Sequence, residues 1–293
     1  MKKEKISVIV TLYNRLEYAR NMIYSLMNQT LMIDELIFAD DGSRDNVGII
    51  IEDLIDKCSF TIKHIYQEDI GFRLARSRNN GARVATGDFL IFLDQDIILP
   101  DDFIEKLYLN RKRKRILSSR AIMSKEYQRN KIQDIFSKNE KINYEKIYEM
   151  LVEKKQDDEL RRYMSKDILY KYLYYFKLRS RGAKIVGLIF ALYKEDYIAI
   201  NGFDDKFKGW GEEDDDFGNR FYKYGGTTCP ITFKYYPIHM FHPFAKSKLE
   251  SPNHNYYLQR KKEISKKNYK CKNGYYNSID KDEIREKIIK TNY

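Results

Sequence analysis

Within the first hundred residues, short β-branched apolar runs alternate with stretches whose apolar residues recur at helical spacing, and this alternation most constrains the fold. Ile6-Ser-Val-Ile-Val-Thr-Leu12 has the pattern of a strand buried on both faces. Leu16, Ala19, Ile23, Leu26 and Met27 then mark a helix from Arg15 to Met27. Strands follow at Glu35 to Ala39, Thr61 to Tyr66 and Asp88 to Leu93, separated by a helix capped by Asp45 and running to Lys57, and by another over Arg73 to Ala85. Strand and helix alternating in units of this length predict an α/β fold, an open, mostly parallel sheet flanked by helices.

The pattern changes near residue 110. Arg111-Lys-Arg-Lys-Arg115 is wholly basic, and the Lys-, Glu- and Tyr-rich sequence to 183 reads as a helical insertion and a plausible dimer surface. Apolar sequence resumes over 184–250, and 251–293 is a basic tail. The whole chain of 293 residues carries a net charge of +11. That excess admits nucleic acid, anionic membrane or phosphorylated ligands as partners without choosing among them. Cys58, Cys229 and Cys271 are odd in number and form no C-x-x-C pair, which argues against a disulfide framework. The longest apolar run beyond the first strand, Ile185 to Leu192, is far short of the ~20 residues that span a bilayer. A cytoplasmic protein is therefore expected.

In an open α/β sheet the ligand crevice lies outside the carboxyl ends of the strands. Three loops fall there: Thr11-Leu-Tyr-Asn14, Asp40-Asp-Gly-Ser43 and Asp94-Gln-Asp96. The third ends a buried strand with two carboxylates, an arrangement that a cation resolves while leaving coordination room for phosphate oxygens. Alone, a D-x-D is more often a solvated strand end. Downstream, Gly209-Trp-Gly211 holds the chain's one Trp and opens into five acids, Glu212 to Asp216. Glycines beside an indole let a flat ligand such as a sugar ring approach closely. Helix capping accounts for one or two of the acids but not for five. His239 and His242 can complete a metal shell with carboxylates. Arg73 and Arg76 share a helical face, and their forks suit phosphate as well as they suit solvent.

Ser7-Val-Ile-Val-Thr-Leu-Tyr-Asn14, Asp40-Asp-Gly-Ser43, Arg78-Asn-Asn-Gly81 and Asp94-Gln-Asp96 together resemble the family 2 glycosyltransferases of the GT-A (Rossmann-like) fold over residues 6–103. Residues Gly209 to Asp216 are similar to the G-W-G-x-E-D-x-D signature of the β-1,4-galactosyltransferase and chondroitin-polymerase type. The resemblance makes 1–110 the nucleotide-sugar half and 184–250 the acceptor half. It implies that Thr11, Tyr13, Asp41, Arg73, Arg78, Asn79 and Asp94 hold a UDP-sugar, with Arg73 and Arg78 facing the diphosphate. Asp96 and His242 become ligands of Mn²⁺ or Mg²⁺, and His239 occupies the place of a methionine ligand. Trp210 and Gly211 line the sugar pocket, Asp215 orients the acceptor, Glu213 bonds a sugar hydroxyl and Asp214 is the catalytic base. Glu212 stands where galactosyltransferases usually have glycine.

The implied activity is inverting, metal-dependent transfer of galactose or N-acetylgalactosamine to a glycan or lipid-linked acceptor, in surface-polysaccharide or lipopolysaccharide synthesis. A basic tail resting on the inner face of the cell membrane would fit such an acceptor. Two rivals are weaker. A nucleotidyltransferase of the same fold wants a Gly-rich first loop, and Thr11 to Asn14 has no glycine. A nucleic-acid-binding protein wants a recognition module, and none is apparent.

Overall fold

A computed structural model describes residues 4–138, 143–243 and 251–291. The first part follows the expected alternation: β1 (Ile6–Leu12), α1 (Glu17–Met27), β2 (Glu35–Asp40), two single turns α2 (Val47–Ile50) and α3 (Glu52–Ile55), β3 (Thr61–Gln67), α4 (Leu74–Val84) and β4 (Phe89–Asp94). The helix expected from Asp45 to Lys57 is instead broken. Asn46 is the residue that caps α2, through Gly48 N–H at 2.9 Å, and fully buried Ile51 leaves helical geometry (φ −110°, ψ 6°) to reach the core.

β5 (Ile97–Ile98) and α5 (Phe103–Asn110) come next, then β6 (Arg115–Ser118) and β7 (Ile122–Met123). Two strands therefore lie inside the segment read as helical. Ile116 and Leu117 are too short a run to signal a strand, yet both are fully buried in the sheet. Helices α6 (Glu126–Lys138), α7 (Tyr144–Leu151) and α8 (Lys154–Tyr175) follow, then β8 (Ile189–Tyr193), α9 (Lys194–Ala199), α10 (Glu213–Lys223), β9 (Thr227–Pro230) and β10 (Ile238–His239). The segment expected to be a basic tail contributes α11 (His254–Glu263) and β11 (Ile284–Lys290). The boundary expected at 250 abuts 244–250, outside the described residues.

The central sheet runs β11-β3-β2-β1-β4-β8-β6-β9. β1 to β4 are mutually parallel, β8 is antiparallel to β4 and β6, β9 is parallel to β6, and β11 closes the edge antiparallel to β3. Both faces are covered, so alternate residues of one strand enter two different cores. Val8 and Val10 pack with α1, while Ile9 joins Leu90 and Phe92 on the other side. In that second core Phe92 stacks on Phe190 at 4.6 Å and Phe203 on Phe217 at 4.3 Å. These rings fix α10 over the sheet and so fix where its acidic N-terminus points. A second sheet, β5-β10-β7, crosses the mouth of β4.

Candidate active site

The small sheet assembles the sharpest cluster. β5 follows Asp94-Gln-Asp96 at once and pairs antiparallel with β10, Ile97 opposite His239. Met240 N–H donates to the Asp96 carbonyl at 2.7 Å, drawing both histidines to the D-x-D turn. Asp96 Oδ1 lies 3.3 Å from His239 Nε2, and Oδ2 lies 3.2 Å from His242 Nε2. Arg15, which no sequence pattern singled out, places Nη1 3.8 Å from Oδ2.

Burial alone would raise the Asp96 pKa, but His242, His239 and Arg15 together hold it below its ordinary value. One donor atom from each of Asp96, His239 and His242 lies within 4.8 Å of the others. Asp96 Oδ1 is buried without a hydrogen bond. A carboxylate facing two imidazoles suits a borderline divalent ion, so this donor set fits Mn²⁺ or Zn²⁺ better than the harder Mg²⁺.

Asp94 borders this cluster. Thr11 Oγ1 donates to it at 3.2 Å, and Arg78 Nη2 lies 3.4 Å away. Its pKa is raised, by desolvation first and by Asp96 as well, against the pull of Arg78. The other fork of Arg78 reaches Glu213 Oε1 at 3.3 Å, so one buried guanidinium bridges Asp94, at the end of β4, to the start of α10. Glu213 is pushed up to about 7, by burial and then by adjacent Asp214. Asp214 accepts a bond from Gly187 N–H at 3.1 Å, and Arg78 donates to the Gly187 carbonyl at 3.0 Å.

The run of five acids is less repulsive than it reads, because each carboxylate leaves the helix in its own direction. Glu212 meets His254 at 2.8 Å, Asp215 meets Arg181 at 2.8 Å and Tyr257, and fully buried Asp216 pairs with Arg220 at 2.6 Å. Asp215, expected at the acceptor, is thus committed to Arg181 and Tyr257. Gly209 and Gly211 have φ of +79° and +103°, and a Cβ on Gly209 would sit 2.7 Å from Pro252. Asn253 donates to the Gly211 carbonyl at 2.9 Å. The loop is clasped by the segment after residue 250, with Trp210 left 41% exposed. Glu212 itself has φ +74°, the left-handed region where glycine is cheaper by roughly 1 kcal/mol.

The other expected donor-site residues divide. Asp41 is buried, accepts Arg73 N–H at 2.7 Å and a bond from Gln67, and is pushed up to about 6 by desolvation. Its neighbour Asp40 instead binds Ser43 N–H and His64. Tyr13 lies at the mouth, its hydroxyl 3.0 Å from Asp69 and its backbone tied to Gln95. Arg73 turns away from the cluster: its guanidinium engages Asp280 at 3.2 Å and Asp282 at 2.9 Å, and Arg76 joins it on Asp282. Asn79 is fully buried, accepting from the Tyr197 hydroxyl and donating to the Phe203 carbonyl at 2.9 Å. Both are built into the fold, and of the arginines of this segment only Arg78 pairs with Asp94 and Glu213 among the described residues.

Residues 7–173, more than half of the chain, match the model of glycosyl transferase family 2. The chain belongs to this family. Residues 167–243 match the N-terminal domain of galactosyltransferase. Among curated relatives, validoxylamine A glucosyltransferase of Streptomyces hygroscopicus is 25% identical over 75% of this chain and 52% of its own length. Chondroitin synthase of Escherichia coli is 28% identical over 75% of this chain and 32% of its own. Cholesterol galactosyltransferase of Borreliella burgdorferi is 39% identical over 36% of this chain and 29% of its own. The chain thus spans about half, or less, of the relatives it matches. Staphylococcus aureus TarS shares the fold, with TM-score 0.50 and 15% identity over 90% of this chain and 44% of that one.

The family 2 enzyme has a readable pH signature. Folded Glu213 stays protonated to about pH 7, against 4.5 ordinarily. The folded state therefore binds more protons between these values, and this group's contribution to stability falls as pH rises through that window. In Glu213→Gln the fall in melting temperature from pH 5 to pH 8 becomes shallower than in wild type. Equal slopes in thermal unfolding would contradict the burial of this carboxyl.

Proposed function

We propose that the enzyme transfers a hexose, galactose or N-acetylgalactosamine, from a UDP-sugar to a hydroxyl of a glycan or lipid-linked acceptor, with inversion and with help from a divalent cation. The observation that carries this reading is the Asp96, His239 and His242 cluster beside the Arg78 bridge from Asp94 to Glu213. Asp96, His239 and His242 would hold the cation, which when bound neutralises charge on the leaving diphosphate. Thr11, Tyr13 and Asp41 receive the uridine, and Arg78 orients the donor through Asp94. Trp210 offers its face to the sugar.

Asp214 takes the proton from the acceptor hydroxyl as that oxygen bonds to the anomeric carbon and the bond to diphosphate breaks. Glu213, partly protonated near neutral pH, donates a hydrogen bond to a sugar hydroxyl where an ionised carboxylate could not. The galactosyltransferase-type match over 167–243 supports the choice of donor, and relatives with galactosyl and glucosyl names support the hexose class. Slow donor hydrolysis needs no acceptor, so UDP release from a panel of UDP-sugars with Mn²⁺ tests this. Release from the galactose-type donors, abolished by EDTA, is expected. Release from another sugar alone would overturn the donor, and EDTA-insensitive release would overturn the metal.

A further inference from the structure

A cavity of about 720 Å³ opens where the start of β6, the start of β9 and the end of α8 converge. Seven cations line it: Lys112, Arg113, Lys114, Arg115, Lys171, Lys177 and Arg179, with no acidic residue in the lining. Arg113 pairs with Glu195 and Asp196, and the other six have no carboxylate partner among the described residues. Lys114, Lys171 and Arg179 lie over the rings of Tyr224, Tyr172 and Tyr170, contacts that cancel no charge, so the patch keeps a positive field that an anion outside the chain would relieve.

The turn ending α8 adds apolar surface at the same place. Tyr175, Phe176 and Leu178 are 75%, 64% and 72% exposed, alternating with Lys177 and Arg179. Leu178 N–H bonds the Leu173 carbonyl and Lys177 N–H the Tyr174 carbonyl, the pattern of a Schellman helix end. Its left-handed position is filled by Lys177, at φ +59°, where glycine is the cheaper residue. The following Leu178, which such a motif usually packs back on the helix, points out instead. A strained lysine and an unburied leucine gain nothing for the fold on their own.

We propose that this surface, rather than the tail, docks the enzyme on an anionic bilayer, the cavity receiving lipid phosphates while Tyr175, Phe176 and Leu178 enter the interface. Charge complementarity selects an anion. Exposed Leu178 beside Tyr175 and Phe176 favours a lipid surface over a free phosphate, which covers no apolar area, and over a nucleic acid, whose bases would stack on the two rings and leave the leucine in water. Gly225, in the cavity lining, lies just past the end of α10, whose other end carries Glu213 and Asp214. Eleven helical residues separate them by roughly 16 Å, a span that a membrane-anchored saccharide bridges. That last link rests on the proposed transfer to a lipid-linked acceptor, whereas the docking itself does not.

Cosedimentation with phosphatidylcholine vesicles, with and without 30% phosphatidylglycerol, tests the docking. Binding to the anionic vesicles alone is expected, weakened on the order of 100-fold in K112Q/K177Q/R179Q at about 1 kcal/mol per charge. Lys177→Gly separates docking from folding: it raises the melting midpoint by roughly 2 °C yet weakens vesicle binding about fivefold. Tyr175→Ser with Phe176→Ser weakens binding to vesicles but leaves retention by soluble polyphosphate unchanged. Wild-type binding by the triple variant, or binding to polyphosphate but not to vesicles, overturns the proposal. UDP release in every variant equals wild type, so failure of docking and failure of the transferase reading are told apart.

Discussion

Asp96→Ala is expected to lose Mn²⁺ binding and UDP release together, each by more than about 100-fold, beyond the 10–100-fold typical when a group that only orients a ligand is lost. The carboxylate is the one anionic donor beside His239 and His242, so its removal leaves two imidazoles as the remaining ligands and the Arg15 charge without its counter-ion, which weakens the hold on a dication. The β5–β10 pairing that assembles the cluster should survive, because Met240 is tied to the Asp96 carbonyl rather than to its side chain. Titration with Mn²⁺ followed by its paramagnetic resonance signal reads the loss directly. Wild-type affinity in Asp96→Ala would remove the cluster from the mechanism.

Asp214→Asn is the complementary case: transfer should fall by about 10²–10⁴-fold, the range general-base catalysis supplies, while UDP and metal still bind. The amide oxygen can keep the bond from Gly187 N–H, so the α10 terminus stays in place. What is lost is proton affinity. Comparing kcat with nucleotide affinity in this variant separates the two roles. A variant that binds donor normally and transfers at the wild-type rate would assign the base elsewhere, with Glu213 as the next candidate because its pKa of about 7 also suits proton transfer.

The parts of this protein that sequence reveals are those whose signal is local. β1, β2 and β4 announce themselves because both faces are buried, and the loops at their carboxyl ends hold the candidate site. Asp94-Gln-Asp96 and Gly209 to Asp216 are legible for the same reason: charge placed against a buried strand, and glycines beside an indole. The tail is not legible. Asp280 and Asp282 meet Arg73 and Arg76 across some two hundred residues, and nothing near either end foretells it. The resemblance puts Arg73 and Arg78 together at the diphosphate, whereas in the fold Arg78 reaches Asp94 and Glu213 while the guanidinium of Arg73, with that of Arg76, engages Asp282.

The acids of α10 show the same limit, since like charges in a row read as repulsion until Arg78, Arg181, Arg220 and His254 are seen to come from four separate places. Arg15 was invisible because a turn with positive φ at Asn14 and Arg15, not a motif, carries it toward Asp96.

Calorimetric titration of UDP into the wild-type chain decides whether a nucleoside diphosphate binds between Asp41 and Asp96 with the help of a metal ion. With Mn²⁺ present, saturable one-to-one binding is predicted, and EDTA should remove most of it. Binding of equal strength with and without EDTA would remove the metal from this site, and no binding under either condition would remove the nucleotide.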